Sequence, residues 1–376
     1  MSPKEVAPAA RTSEEEPGLD FQSRLKLAEY FANGLSWFYL PDANAWPAMA
    51  ERVPFLSSEK NRIERLREAF GEQVGWVVVE DQYIDRDYRD TFSHTFSKRF
   101  ATPASRCQRI HFFAKEMGRS QKPDVNMKRE ELQESYLGYL VVRPTRPNGV
   151  GRTFLDPRIM KHEGFNLCLC GERITLFGKE LQIEGFPFIG QDIDVTTCAQ
   201  STLWMIRRYY SNRYTQYSET HPNTLSKMAA LRLREDRAFP ATGLNDGQMA
   251  EMLRTMGYSP KVYCKDSFIH DEMRNNDRRI RTAKAQEEGR EGKQIHFGEI
   301  LLTYLESGIP LILSFKKGER YHSVACIGYC WSGSSLPNME GSHRGECVKS
   351  DRSRATCLSD VDSDCSGRQF RTLPSG

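Results

Sequence analysis

The chain has 376 residues, 39 % of them hydrophobic, and a formal net charge of +3. That length suits two domains, or one domain with a large extension. So small a charge gives no strong preference for polyanions such as nucleic acid, and no apolar run has the length of a membrane span or a signal-peptide core.

The ten cysteines lack the tight, regular spacing of a disulfide scaffold; Cys168 and Cys170 form only a C-x-C. They read as reduced thiols, mostly core residues, in a cytoplasmic protein. No CxxC pair and no HExxH run supports a metal site, and no cofactor is expected.

In chain order, residues 1–20, with Pro3, Pro8, Pro17 and Glu14-Glu15-Glu16, read as disordered. A helical pattern runs from Phe21 to Leu35, and another covers 58–70, where Ser58 and Asn61 make an incomplete capping box. Strand-like runs rich in β-branched and aromatic residues come next, at Val74–Glu80, Arg109–Phe113, Tyr136–Val142 and Arg173–Phe177. Residues 21–186 therefore read as an α+β region. No Pro/Ser-rich linker separates it from the residues beyond 186, so close packing between the two is expected. Arg143-Pro144-Thr145-Arg146-Pro147 reads as a turn with exposed arginines.

The stretch from Gln191 to Met205 is the most informative. Gln191 precedes Cys198 by seven residues, and Cys198 opens a helix-like segment through about Tyr210. A helix N-terminus carries partial positive charge and unpaired N–H groups, which favour a thiolate. Far downstream, His322 begins the apolar run His322-Ser323-Val324-Ala325-Cys326-Ile327-Gly328-Tyr329. A cysteine nucleophile with a histidine base needs these two residue types brought together by the fold. Gln191 and the backbone N–H at Cys198 could then donate to a developing oxyanion.

Between the two ends lies an ordered series. A helical segment Asp246–Met256 ends in Gly257-Tyr258 and is followed by the strand-like Lys261-Val262-Tyr263-Cys264. A highly charged insertion spans Asp271 to Lys293. A helix at Phe297–Leu305 leads into Gly308-Ile309-Pro310 and the apolar strand Leu311–Phe315, then to Tyr321-His322. Taken together, residues 187–330 resemble papain-like cysteine peptidases. They look like the bacterial peptidases that trim double-glycine (bacteriocin) leader peptides. The resemblance implies a papain-like α+β fold, a helix bearing Cys198 packed on an antiparallel sheet bearing His322, with Gln191 as oxyanion donor. It implies a thiol protease, a hydrolase acting on a peptide or isopeptide bond through a thioester, with a peptide or protein as substrate. Acyl transfer or deamidation by the same nucleophile, and a non-catalytic module that binds peptides, are the other readings. The oligomeric state is left open.

Two features depart from that family's pattern. Gln191 sits one residue further upstream of the cysteine than expected. The family's third residue, an Asp or Asn on a strand after the histidine, falls where the chain changes character. Residues 331–376 hold ten serines, no Ile and no Tyr, and show neither strand nor helix periodicity. The expectation is a peptidase-like unit over 187–331 that is truncated, followed by a disordered or aberrant tail at 332–376. A departure from the true reading frame or exon near Trp331 explains the break better than a natural tail. Asn338, sixteen residues past His322, has a suitable spacing for the orienting residue, but Pro337 beside it cannot donate to a sheet ladder. His94, His111, His162, His221, His270, His296 and His343 carry no motif and read as structural or exposed. Trp204, Met205 and Tyr209 read as core.

Overall fold

The computed structural model describes residues 34–330, apart from 43, 58–61, 71, 146–148, 160–164, 192–197, 234–243, 264–296 and 318–319. The expected N-terminal disorder, most of the helix from Phe21, the charged insertion and the tail with Asn338 lie outside the described residues.

The described chain opens with strand β1 (Leu35–Tyr39), so Leu35 begins a strand rather than closing a helix. Three short helices follow, α1 (Ala45–Arg52), α2 (Pro54–Ser57) and α3 (Arg62–Phe70). Next come β2 (Val74–Tyr83), α4 (Arg86–His94), β3 (Cys107–Ala114), α5 (Arg129–Ser135), β4 (Tyr136–Val142) and β5 (Val150–Leu155). The five strands form one sheet in the order β1-β2-β3-β4-β5, with every neighbouring pair antiparallel.

This sheet is covered on both faces, which explains why its strands read as continuous apolar runs. Val77 and Val79 of β2 face a core built with Trp46, Met49, Leu56, Leu66 and Phe70 from α1, α2 and α3. Trp76 and Val78 face the opposite core. Strict alternation of apolar and polar residues belongs to sheets with one wet face, and here neither face is wet.

The second core is shared with the rest of the chain. Strand β6 (Phe165–Leu167) precedes the hairpin of β7 (Cys170–Leu176) and β8 (Lys179–Gly185). Four helices follow: α6 (Cys198–Arg213), α7 (Pro222–Leu233), α8 (Asp246–Thr255) and α9 (Phe297–Glu306). Strands β9 (Leu311–Lys317) and β10 (Arg320–Cys326) form an antiparallel hairpin, and β11 (Gly328–Cys330) returns to pair with β6. One apolar cluster runs from Trp76, Tyr139 and Phe154 of the sheet through Ile174 and Leu181 to Leu203, Trp204, Leu225, Met252 and Leu305. Helix α6 lies at its centre, buried from Ala199 to Tyr209. A helix buried on all sides belongs to the interior rather than to a surface face.

The chain is therefore mixed α and β, and among the described residues every strand pair is antiparallel. No helix among the described residues is long and apolar enough to cross a membrane. Helix α8 forms where its signals point: Asn245 and Gln248 complete a capping box, and Gly257, at φ 88°, ends the helix with Tyr258 N–H donating to Leu253 O at 3.0 Å. The strand expected at Lys261 does not form over 261–263. Val262 is 64 % exposed there, and Pro260 supplies no donor, so no buried face or ladder selects an extended pairing.

Gly138 has a structural reason to be glycine. Its φ is 117°, and a Cβ there would sit 2.2 Å from Phe154 O and 2.6 Å from Ile183 Cδ1. The bare backbone lets β5 and the β8 side chains close over β4. Gly138→Ala is predicted to cost about 2–4 kcal/mol, from backbone strain and overpacking together. Urea denaturation measures it; an unchanged midpoint would refute the close approach.

Candidate functional site at the Cys198 helix

Cys198 is the first residue of α6 and is half-buried, as a free thiol. The helix it opens is fixed at both ends. Near the N-terminus, Thr202 Oγ1 lies 2.9 Å from Cys198 O and 3.0 Å from Ser323 O. A hydroxyl has one hydrogen to donate, so it serves both carbonyls by sharing or alternation. Ser323 is the residue after His322 on β10. One side chain, a turn past Cys198 on its helix, thus meets the strand that carries His322. Ser323 is buried, and its hydroxyl lies 3.4 Å from that of Ser314 on β9.

His322 is half-buried and lies directly opposite Phe315 in the β9–β10 register. Directly opposed residues share a face, and the two rings lie 6.1 Å apart between centroids. Gln191 is half-buried just after the segment Phe188–Gly190, which is tied to β5 by Phe188–Thr153 and Gly190–Val150 hydrogen bonds. Residues 192–197, which connect it to Cys198, lie outside the described residues, as does Asn338. Helix α6 and β10 thus pack together, with Cys198 on one and His322 on the other. Gln191 belongs to the segment held on β5.

Further along, α6 is held by a charge network that no sequence motif marks. Asp87 of α4 is 1 % exposed and receives hydrogen bonds from side chains on three other parts of the chain. Arg152 of β5 donates to Oδ2 through Nε (2.9 Å) and a terminal nitrogen (2.7 Å). Trp204 Nε1 of α6 donates to Oδ1 at 3.3 Å, and His221 Nδ1, just before α7, lies 2.8 Å from the same oxygen. Arg208 of α6 approaches Asp87 at 3.6 Å and pairs with Glu219. Burial opposes the charge on Asp87, but Arg152, the His221 hydrogen bond and Arg208 outweigh it and hold the carboxyl well below the usual range. Neighbouring Asp85, which caps α4 by accepting from Tyr88 N–H at 2.8 Å, is pushed up by burial and by Asp87. The spacing of Asp85 and Asp87 flags only a helix start; nothing local tells that β5, α6 and α7 converge there.

Asp87, Glu219 and His221 bring three ligand-type atoms within 4.8 Å of one another. The guanidinium groups of Arg152 and Arg208 already sit on both carboxylates, so a cation would face two fixed positive charges. The cluster is an ion-pair network that anchors α6. It gives His221, expected to be structural or exposed, a structural role as a half-buried partner of Asp87.

A fully buried histidine behaves oppositely. His111 is fully buried in the sheet, with Nδ1 2.9 Å from Tyr136 Oη and Nε2 3.7 Å from Glu80, too far for a hydrogen bond. Burial and then Arg109 pull its pKa down to about 4, so it is neutral at pH 7.

Comparison with protein-family models, with curated proteins and with solved structures finds no match for this chain.

The His221–Asp87 pair yields a pH prediction. The hydrogen bond to Asp87 raises the imidazole pKa above its ordinary value of 6.5. The pair's stabilisation is therefore complete below about pH 6.5 and is lost as pH rises through the raised folded value. The stability gap between wild type and His221→Gln should shrink as pH rises above about 6.5; a constant gap would exclude the linkage. Asp87→Asn should cost about 3–5 kcal/mol, because it leaves buried guanidinium charge uncompensated. Chemical denaturation of both variants checks each value.

Proposed function

We propose that the chain is a cysteine hydrolase of papain-like architecture, with Cys198 as nucleophile and His322 as base. The observation that carries this reading is the Thr202 hydroxyl, within hydrogen-bonding distance of both Cys198 O and Ser323 O. It joins the turn that opens with Cys198 to the strand position next to His322. The order of elements from Cys198 to His322, helix then paired antiparallel strands, adds support.

The chemistry follows from the residue types. His322 takes the thiol proton, and the Cys198 thiolate attacks the carbonyl carbon of a peptide or isopeptide bond, forming a C–S bond. The backbone N–H at Cys198 and the Gln191 amide donate to the oxyanion. Collapse breaks the C–N bond, and the imidazolium passes its proton to the departing amine. Water, deprotonated by His322, then attacks the thioester and releases the acid and the thiol. Asn338 is the residue this reading assigns to orient the imidazole. An amine in place of water would give acyl transfer, and a glutamine side-chain amide as substrate would give deamidation.

The test is differential thiol labelling. Cys198 should react fastest with iodoacetamide near neutral pH, and His322→Ala should slow it by about tenfold or more, because an imidazolium lowers a neighbouring thiol pKa. Gln191→Ala should leave labelling intact but slow acylation by an activated ester about 10²–10³-fold. Equal labelling in wild type and His322→Ala would leave a peptide-binding module as the better reading.

A further inference from the structure

Phe315 is the exposed apolar side chain closest in register to the proposed base. It is 40 % exposed although it is a large aromatic residue on a strand of a packed hairpin. It lies directly across from His322, on the same face of the β9–β10 hairpin, with ring centroids 6.1 Å apart. Further from its turn the hairpin meets the main core on both faces, through Ile312 and Ala325 on one and Leu311 and Cys326 on the other. Nearer the turn, the face that carries His322 and Phe315 leaves the Phe315 ring exposed.

Chemistry fixes what must pass beside that face. To protonate the departing amine, His322 must come within hydrogen-bonding distance, about 2.6–3.2 Å, of the leaving-group nitrogen. The first side chain beyond that nitrogen then lies within a few ångströms of the imidazole, which is the distance at which Phe315 stands. Hydrophobic contact requires only that heavy atoms approach within about 4.0–4.5 Å. An exposed ring at that spot loses water when it is covered by an apolar group and gains nothing from an anionic one.

We propose that Phe315 is a specificity-determining residue that selects substrates with a large apolar or aromatic side chain on the leaving-group side of the scissile bond. The proposal rests on the assignment of Cys198 and His322 above. It names the class of substrate as a peptide whose residue just after the cleaved bond is apolar.

The test uses two peptidyl acyloxymethyl ketones with the same peptide portion, one carrying phenylacetate and the other acetate as the departing carboxylate. The Cys198 thiolate forms a C–S bond to the methylene carbon, and the carboxylate leaves from the leaving-group side. Rates are measured by intact-protein mass spectrometry for wild type, Phe315→Ser and Phe315→Leu, with iodoacetamide labelling in parallel. Comparing rate ratios between proteins cancels the intrinsic reactivity of the reagents. The phenylacetate-to-acetate ratio should fall about tenfold in Phe315→Ser, as expected for the loss of one apolar contact surface, and recover in large part in Phe315→Leu. Dividing each rate by the same protein's iodoacetamide rate removes any change that the substitution makes at Cys198 and His322. An equal ratio in wild type and Phe315→Ser, with His322-dependent iodoacetamide labelling intact, overturns the proposal and leaves the nucleophile standing. Labelling of Cys198 that does not depend on His322 overturns both together.

Discussion

A single buried carboxylate holds the parts of this molecule in register. Asp87 enters the interior at the start of α4, where it accepts from Arg152 on β5, Trp204 on α6 and His221 ahead of α7. Removing a charge from water is costly, and only well-placed partners offset the cost. Here the partners come from segments up to 134 residues away in sequence, so the carboxylate is satisfied only when all of them are docked. The network thereby sets the position of α6 relative to the five-stranded sheet. Asn212 and Arg213 extend the same docking at the other end of the helix, donating to Gly171 O and Leu169 O.

The consequence for the site is geometric. Helix α6 is buried along most of its length and cannot slide or rotate without breaking the Asp87 contacts. Near its N-terminus it meets β10 through Thr202, one turn past Cys198, so the Cys198 end of a constrained helix abuts a constrained strand. Strand β10 is held in turn by β9, and β11 beyond it pairs with β6. The proposed Cys198–His322 pair would have to be held to within a fraction of an ångström, and rigid elements do this better than loops. Cys198 and His322 both lie on regular elements, a helix and a strand.

Two histidines, one buried and one half-buried, illustrate how environment sets charge on one side-chain type. His111 has only a phenol as hydrogen-bond partner and a guanidinium close by, so burial and repulsion keep it neutral. His221 retains partial access to solvent and touches a fixed carboxylate, which favours its cation. Neither state can be read from the flanking residues, Ile110 and Phe112 in one case, Thr220 and Pro222 in the other.

Local pattern alone determined a good part of the architecture. The apolar runs at Val74, Arg109, Tyr136 and Arg173 are strands, the segments after Cys198, Asp246 and Phe297 are helices, and Leu311 and His322 lie on strands, because these features depend on neighbours within a few residues. Gly257 ends α8 for a reason carried by its own missing side chain. Tertiary structure decided the rest. Leu35 reads as the end of a helix yet opens β1, because Leu35-Ser36-Trp37-Phe38-Tyr39 is strand-like chiefly through its pairing with Trp76–Glu80. Lys261 to Tyr263 is apolar enough for a strand yet finds no buried face. The Asp87 network, the Thr202 bridge to Ser323 and the Phe315–His322 pairing join residues that sequence order keeps far apart or gives no reason to single out. Hydrogen bonds and ion pairs of this kind act over about 3–4 Å in space and leave no periodic trace along the chain, whereas propensity and alternation do.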